Sequence, residues 1–143
     1  MIEVTKHGPK AGSKHKNSKI RKFINQPGEA GFNKVYTSYK QNAKNRNREF
    51  SISKDVFRVL TKLPCSYCKA EPSTVSYQGG SKTSKYASER GAYTYNGLDR
   101  MDSDKGYVLG NVTPCCKICN RAKNSMHWVD FMNWISGIKE RSR

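Results

Sequence analysis

Two C-x-x-C hooks are the residues of this chain best spaced for chemistry: "CSYC" carries Cys65 and Cys68, and "PCCKIC" carries Cys116 and Cys119. Each hook can offer two thiolates to one tetrahedral Zn²⁺. Cys115 is left over from a total of five, and an odd count with two such hooks favours metal over disulfides. A redox pair shares the C-x-x-C spacing. Such pairs sit in a strand–helix–strand context, however, whereas Pro64 and Pro114 signal tight turns just before the hooks. The expectation is a structural zinc on Cys65, Cys68, Cys116 and Cys119, with no open position and no part in catalysis. Such a site contributes on the order of 10–16 kcal/mol of apparent binding energy.

Acid is concentrated between the hooks. "NGLDRMDSDKGY", Asn96 to Tyr107, holds Asp99, Asp102 and Asp104 within six residues, in a chain of formal net charge +16. An EF-hand calcium loop is excluded because no Glu closes it. Asp102 and Asp104 read as turn residues.

The run "GLDRMDSDKGYVLGNVTPCCKICNRAK" resembles the HNH endonuclease family (the ββα-metal or His-Me finger nucleases) in its zinc-hooked, phage-type branch. The resemblance is specific from Cys65 to Lys123, weaker from Tyr36 to Leu63, and does not extend to residues 1–33. It implies that Asp99 and Asn120 hold a catalytic divalent ion, that Asn111 braces the loop between them, and that DNA is hydrolysed. Oxygen ligands of this kind suit Mg²⁺ or Mn²⁺, with waters and a phosphate oxygen completing the shell.

The departure from the family is Arg100, which stands where a His acts as general base. A guanidinium cannot take a proton at working pH. Arg100 is therefore expected to clamp phosphate and stabilise transition-state charge, with an ion pair to Asp102 or Asp104 as its structural alternative. The base stays open among Tyr93 or Tyr95, an N-terminal histidine (His7 or His15), and hydroxide on the metal with no protein base. His127 reads as packed or solvated.

The implied fold is α+β, a small ββα-metal module inserted between the hooks and flanked by helices. Cys68 and Cys116 enclose 47 residues, against about 15–20 in ordinary zinc ribbons. "AYTYNGLD" alternates as one strand, with Tyr93, Tyr95, Gly97 and Asp99 sharing a face. "SDKGY" is a turn, "YVLGNV" a second strand, and "CKICNRAKNS" a knuckle running into a helix that carries Asn120 and Lys123 on one face. Upstream, "KVYTSYKQNAKNRNREF" predicts a helix with Tyr36, Tyr39 and Ala43 on one side. "SISKDVFRVLTKLP" predicts another, capped by Ser53, with Val56, Phe57 and Leu60 inward. A last helix is expected to start from a Ser125 cap and bury Trp128, Phe131, Met132 and Ile135. Residues 71–91 read as a loop or loose hairpin, and their "GGSKTS" lacks the phosphate-loop spacing. Residues 1–33 read as a flexible basic arm and 34–143 as one zinc-stapled domain.

Lys and Arg number 27 against 11 Asp and Glu, a balance that points to a polyanion, nucleic acid before membrane. The expected DNA contacts are Lys14, Lys16, Arg21, Lys22, Arg46, Arg48, Lys82, Lys85 and Lys123. Only 35% of residues are hydrophobic, so a lean core leans on the zinc. The chain shows neither a membrane span nor a secretory leader, and a cytoplasmic protein of a bacterium or phage-infected cell is expected. Whether one copy nicks or a homodimer cuts both strands stays open. The alternative function is a zinc-stapled DNA-binding protein without catalysis, because the usual base is missing.

Overall fold

A computed structural model describes residues 26–77 and 85–143. The first helix, α1, spans Glu29–Asn45. Gly28, at φ 80, turns the chain into it, and Glu29 sets a negative charge at its positive end. Phe32, Val35 and Ala43 lie on its buried face. The second helix, α2, spans Lys54–Thr61, and the Ser53 hydroxyl accepts the Val56 N–H at 3.3 Å, as the capping pattern predicted. The two helices meet through aromatic edges: Phe57 lies 5.3 Å from Tyr36 and 5.2 Å from Tyr39, ring to ring. Val35, Ile52, Tyr93 and Leu98 complete this main core. Each edge-to-face pair is worth about 0.5–1.5 kcal/mol beyond the area it buries, which matters where apolar residues are few.

Two small antiparallel sheets follow. Strand β1, Thr74–Ser76, pairs with β2, Tyr93–Tyr95, with Thr74 opposite Tyr95; a short helix α3, Lys85–Arg90, lies between them in sequence. Strand β3, Gly97–Arg100, pairs with β4, Val112–Cys115, with Asp99 opposite Thr113. Helix α4, Lys117–Lys123, leaves β4 directly through the Cys116 cap, and α5, Trp128–Arg141, ends the chain. No described helix is long and apolar enough to cross a membrane.

The single strand expected over residues 92–99 is in fact two strands in two sheets, and Asn96 is the reason. Its N–H donates to Thr61 O at 2.9 Å, and its amide nitrogen donates to Leu63 O at 3.0 Å and Ala70 O at 3.1 Å. Those bonds take the backbone out of the β1 ladder and deliver it to β4. The second strand also lies elsewhere than "YVLGNV": Tyr107 makes only an isolated bridge to Phe50, and the ladder begins at Val112. Helix α1 starts inside the segment assigned to the basic arm, while residues 1–25 lie outside the described residues, as do 78–84. The last helix is capped by His127, not Ser125. Of its expected core residues only Phe131 is buried; Ile135 is half-buried, and Trp128 and Met132 are exposed.

Close approach explains one glycine. A Cβ at Gly31 would lie 2.5 Å from Gly91 O and 2.6 Å from Ser76 O, both backbone atoms that cannot step aside. Gly31→Ala should therefore cost about 1–3 kcal/mol in urea unfolding. Gly137→Ala, where the Cβ would meet only the flexible Arg141 side chain, should be neutral or stabilising.

Candidate functional site

The two hooks converge. In the first, Cys65 N–H donates to Ala70 O at 2.8 Å and Lys69 N–H to Cys65 O at 2.9 Å, with Lys69 at φ 65 closing a tight knuckle. In the second, Cys116 caps α4, its sulfur accepting the Cys119 N–H at 3.4 Å. The four sulfurs of Cys65, Cys68, Cys116 and Cys119 lie within 4.8 Å of one another, and those of Cys68 and Cys116 are 3.6 Å apart. Tetrahedral zinc with Zn–S bonds near 2.3 Å sets its sulfurs about 3.8 Å apart, so the donor set fits the ion. Burial opposes ionisation of Cys65, yet backbone N–H groups of Cys116, Cys68 and Tyr67 outweigh it and bring the thiol down to about 6. Cys115 stands aside: burial pushes its thiol up, and its sulfur donates to Cys116 O at 3.4 Å.

Asp99 sits on β3 beside this knuckle, and its carboxylate is only 4% exposed. Tyr67, between the two cysteines of the first hook, donates its hydroxyl to Asp99 Oδ2 at 2.7 Å. The Lys123 ammonium lies 3.3 Å from Oδ1 and 3.2 Å from Oδ2, and also donates to Arg100 O at 2.9 Å. Burial raises the Asp99 pKa, although Tyr67, Lys123 and Arg100 pull it back. The Tyr67 phenol is pushed up by burial and then by Asp99 itself, which keeps it a donor.

The loop after β3 is held by Asn111. Its amide nitrogen donates to Asp102 O at 3.1 Å and Gly106 O at 2.9 Å, and its oxygen accepts the Asp102 N–H at 3.0 Å. Arg100 ties down the same loop: Nη1 donates to Ser103 O at 2.7 Å and Lys105 O at 2.9 Å. Its guanidinium lies over the Tyr107 ring at 5.5 Å. Asp102 and Asp104 behave as turn residues, the Asp102 carboxylate accepting the Asp104 N–H at 3.0 Å.

Asp99, Arg100, Asn120, Arg46, Arg48 and His127 line one cleft of about 600 Å³. Arg48 enters it while donating to Asp104 O at 2.6 Å. Other expected site residues lie elsewhere. Lys123, expected on phosphate, is wholly buried against Asp99. Tyr93 is buried in the core with its hydroxyl 2.8 Å from that of Thr61, because the break at Asn96 separates its face from that of Asp99. Tyr95 lines an adjoining groove rather than the cleft, and burial pushes both phenols up, away from a base's range. Lys85 is exposed near Glu89, at 3.9 Å. His7, Lys14, His15, Lys16, Arg21, Lys22 and Lys82 lie outside the described residues. Tyr67, whose hydroxyl meets Asp99, was not among the expected residues, although a tyrosine inside a metal hook was an available signal; His127, read as packed or solvated, is exposed at the cleft.

These features define an α+β protein in which a strand–strand–helix unit is braced by four thiols, an HNH-like fold. It is similar to that of the rare-cutting HNH restriction endonuclease PacI, with a TM-score of 0.50 and 18% identity over 78% of each chain. No family model matches the chain. An uncharacterized protein of Acanthamoeba polyphaga mimivirus is 30% identical over 97 residues, 68% of this chain but only 15% of that protein's length.

Two outcomes follow from the geometry. The purified chain should carry one zinc, kept in Cys115→Ser and lost in Cys119→Ser, as metal analysis would read. Lys123→Met should strand a buried carboxylate and cost about 3–5 kcal/mol in urea unfolding. Lys85→Met, at an exposed pair, should change stability little.

Proposed function

We propose that this chain is a metal-dependent endonuclease of the HNH type that hydrolyses phosphodiester bonds in DNA, with the four-thiolate zinc structural. What supports the reading is one arrangement: an aspartate and an asparagine line the same cleft as three arginines, on a strand–strand–helix unit. Asp99 and Asn120 would hold Mg²⁺ or Mn²⁺. The fit is adequate, because Asp99 Oδ1 accepts only the Lys123 contact at 3.3 Å and Asn120 reaches the cleft. The bound ion would neutralise the scissile phosphate and stabilise the leaving 3′ oxygen. Two oxygen ligands leave room for waters and phosphate, the usual Mg²⁺ shell.

The chain's own groups do the rest. Arg46 and Arg48 draw the phosphate backbone into the cleft, and Arg100, already fixed by its loop, offers preorganised donors to charge that develops on phosphorus. His127 accepts the Val129 N–H through Nδ1 at 3.4 Å. With Nδ1 so engaged, Nε2 is the ring nitrogen left to meet a phosphate oxygen in the cleft. Asn111 braces the Asp102–Gly106 turn, so that the Ser103 and Lys105 carbonyls that fix the Arg100 guanidinium stay in place.

A non-catalytic DNA-binding role is the second reading, favoured by one observation: both Asp99 oxygens already accept hydrogen bonds. Supercoiled plasmid with Mg²⁺ or Mn²⁺ separates the two. Nicking should appear with either ion and stop with EDTA. It should fall by at least about 100-fold in Asp99→Asn, which keeps the shape and one acceptor for Lys123, as expected when transition-state charge loses its stabilisation. Tight binding to DNA with no nicking under any ion would establish the second reading.

A further inference from the structure

Each cysteine hook sends one side chain to Asp99. Tyr67 lies between Cys65 and Cys68, its backbone N–H directed at the Cys65 sulfur and its hydroxyl at Asp99 Oδ2. Lys123 lies one turn beyond Cys119 on α4, the helix that Cys116 caps. The two contacts differ in kind. The ammonium sits nearly equidistant from both carboxylate oxygens, 3.3 and 3.2 Å, so it supplies charge but hardly distinguishes one oxygen from the other. The tyrosine hydroxyl, at 2.7 Å from Oδ2 alone, does distinguish them. The Tyr67 ring is itself held edge-on by buried Phe131 at 5.1 Å, leaving the hydroxyl little freedom.

We propose that Tyr67 is a positioning residue: it carries the geometry of the four-cysteine knuckle to Asp99, holding Oδ2 so that the oxygen left for a metal faces the cleft. The inference rests on the reading of Asp99 as ligand to a divalent ion. It makes the two metal sites one mechanical unit, in which a structural ion sets the orientation of a catalytic ligand through a single phenol. Partners that orient a ligand typically govern 10–100-fold in metal affinity, about the size of effect to seek.

Tyr67→Phe is the test, because it keeps the ring on Phe131 and removes one hydroxyl. Mn²⁺ is titrated by electron paramagnetic resonance into the zinc-loaded full chain bound to a DNA duplex, for wild type, Tyr67→Phe and Asp99→Asn. Plasmid nicking is followed against Mn²⁺ concentration alongside. Tyr67→Phe should weaken Mn²⁺ binding about 10-fold or more while retaining one zinc per chain. The Mn²⁺ needed for half-maximal nicking should rise equally, and saturating Mn²⁺ should restore the maximal rate, which a loss of folded protein would not allow. Wild-type Mn²⁺ affinity in Tyr67→Phe, with binding lost in Asp99→Asn, overturns the positioning role and leaves the metal site standing. Mn²⁺ binding unchanged in Asp99→Asn, or undetected in wild type, removes the metal reading and this inference with it. Zinc loss in Tyr67→Phe would make the hydroxyl a folding contact and overturn the proposal as well.

Discussion

Four sulfurs within 4.8 Å of one another hold together segments 47 residues apart in the chain, and the remaining structure is arranged around that constraint. The main core contains few aliphatic side chains: Val35, Ile52 and Leu98 among the rings of Phe32, Phe57 and Tyr93. It fixes α1 and α2 against the middle of β3 but lies to one side of the helix that carries Asn120. That helix is placed instead by Cys116, which is at once a hook residue, the end of the β4 connection and the cap of α4. Separating the sulfurs would free α4 from β3 and leave the Lys123 ammonium to hold the two together.

That ammonium is costly to bury, and only a full set of partners offsets the cost. Lys123 has no exposed surface, and it reaches both Asp99 oxygens and the Arg100 carbonyl. Desolvating two charges usually cancels most of the attraction between them, so the pair is better understood as a device for register than as a source of stability. With Lys123 seated, α4 can neither slide along β3 nor rotate without stranding a charge. Asn120, one turn earlier on the same helix, is thereby held at the rim of the cleft into which Asp99 faces.

What could be read from the sequence was whatever depended on short spacing. The hooks are local, and so are the Ser53 cap and the offset from Asp99 to Asn111, which together outlined the knuckles and the braced loop. Errors arose where long-range bonds overrode a local pattern. Alternation from Tyr93 to Asp99 suggested one strand, but three bonds from Asn96 to Thr61, Leu63 and Ala70 break it, and no periodicity encodes those partners. Lys123 looked like one more basic residue in a basic chain. Its burial depends on a carboxylate 24 positions away, although its place three residues after Asn120 did put it on the strand-facing side of the helix. The apolar spacing of α5 suggested a buried stripe, yet the small body behind it covers Phe131 fully and Ile135 only in part.

The arginine at position 100 acquires a physical sense from these contacts. An imidazole there could accept a proton but could not span the turn, whereas the guanidinium bonds two loop carbonyls through one nitrogen and lies over Tyr107. Position 100 has thus become part of the scaffold of the cleft, and it adds positive charge beside Arg46 and Arg48. Asp99 already has a buried ammonium against it and Arg100 beside it, and both cations oppose a free dication. In the proposed nuclease, a phosphate entering the cleft would offset that opposition by bringing negative charge beside Asp99. On the proposed reading, backbone and ion would favour each other's binding, and by reciprocity the coupling would be the same in whichever order they arrive.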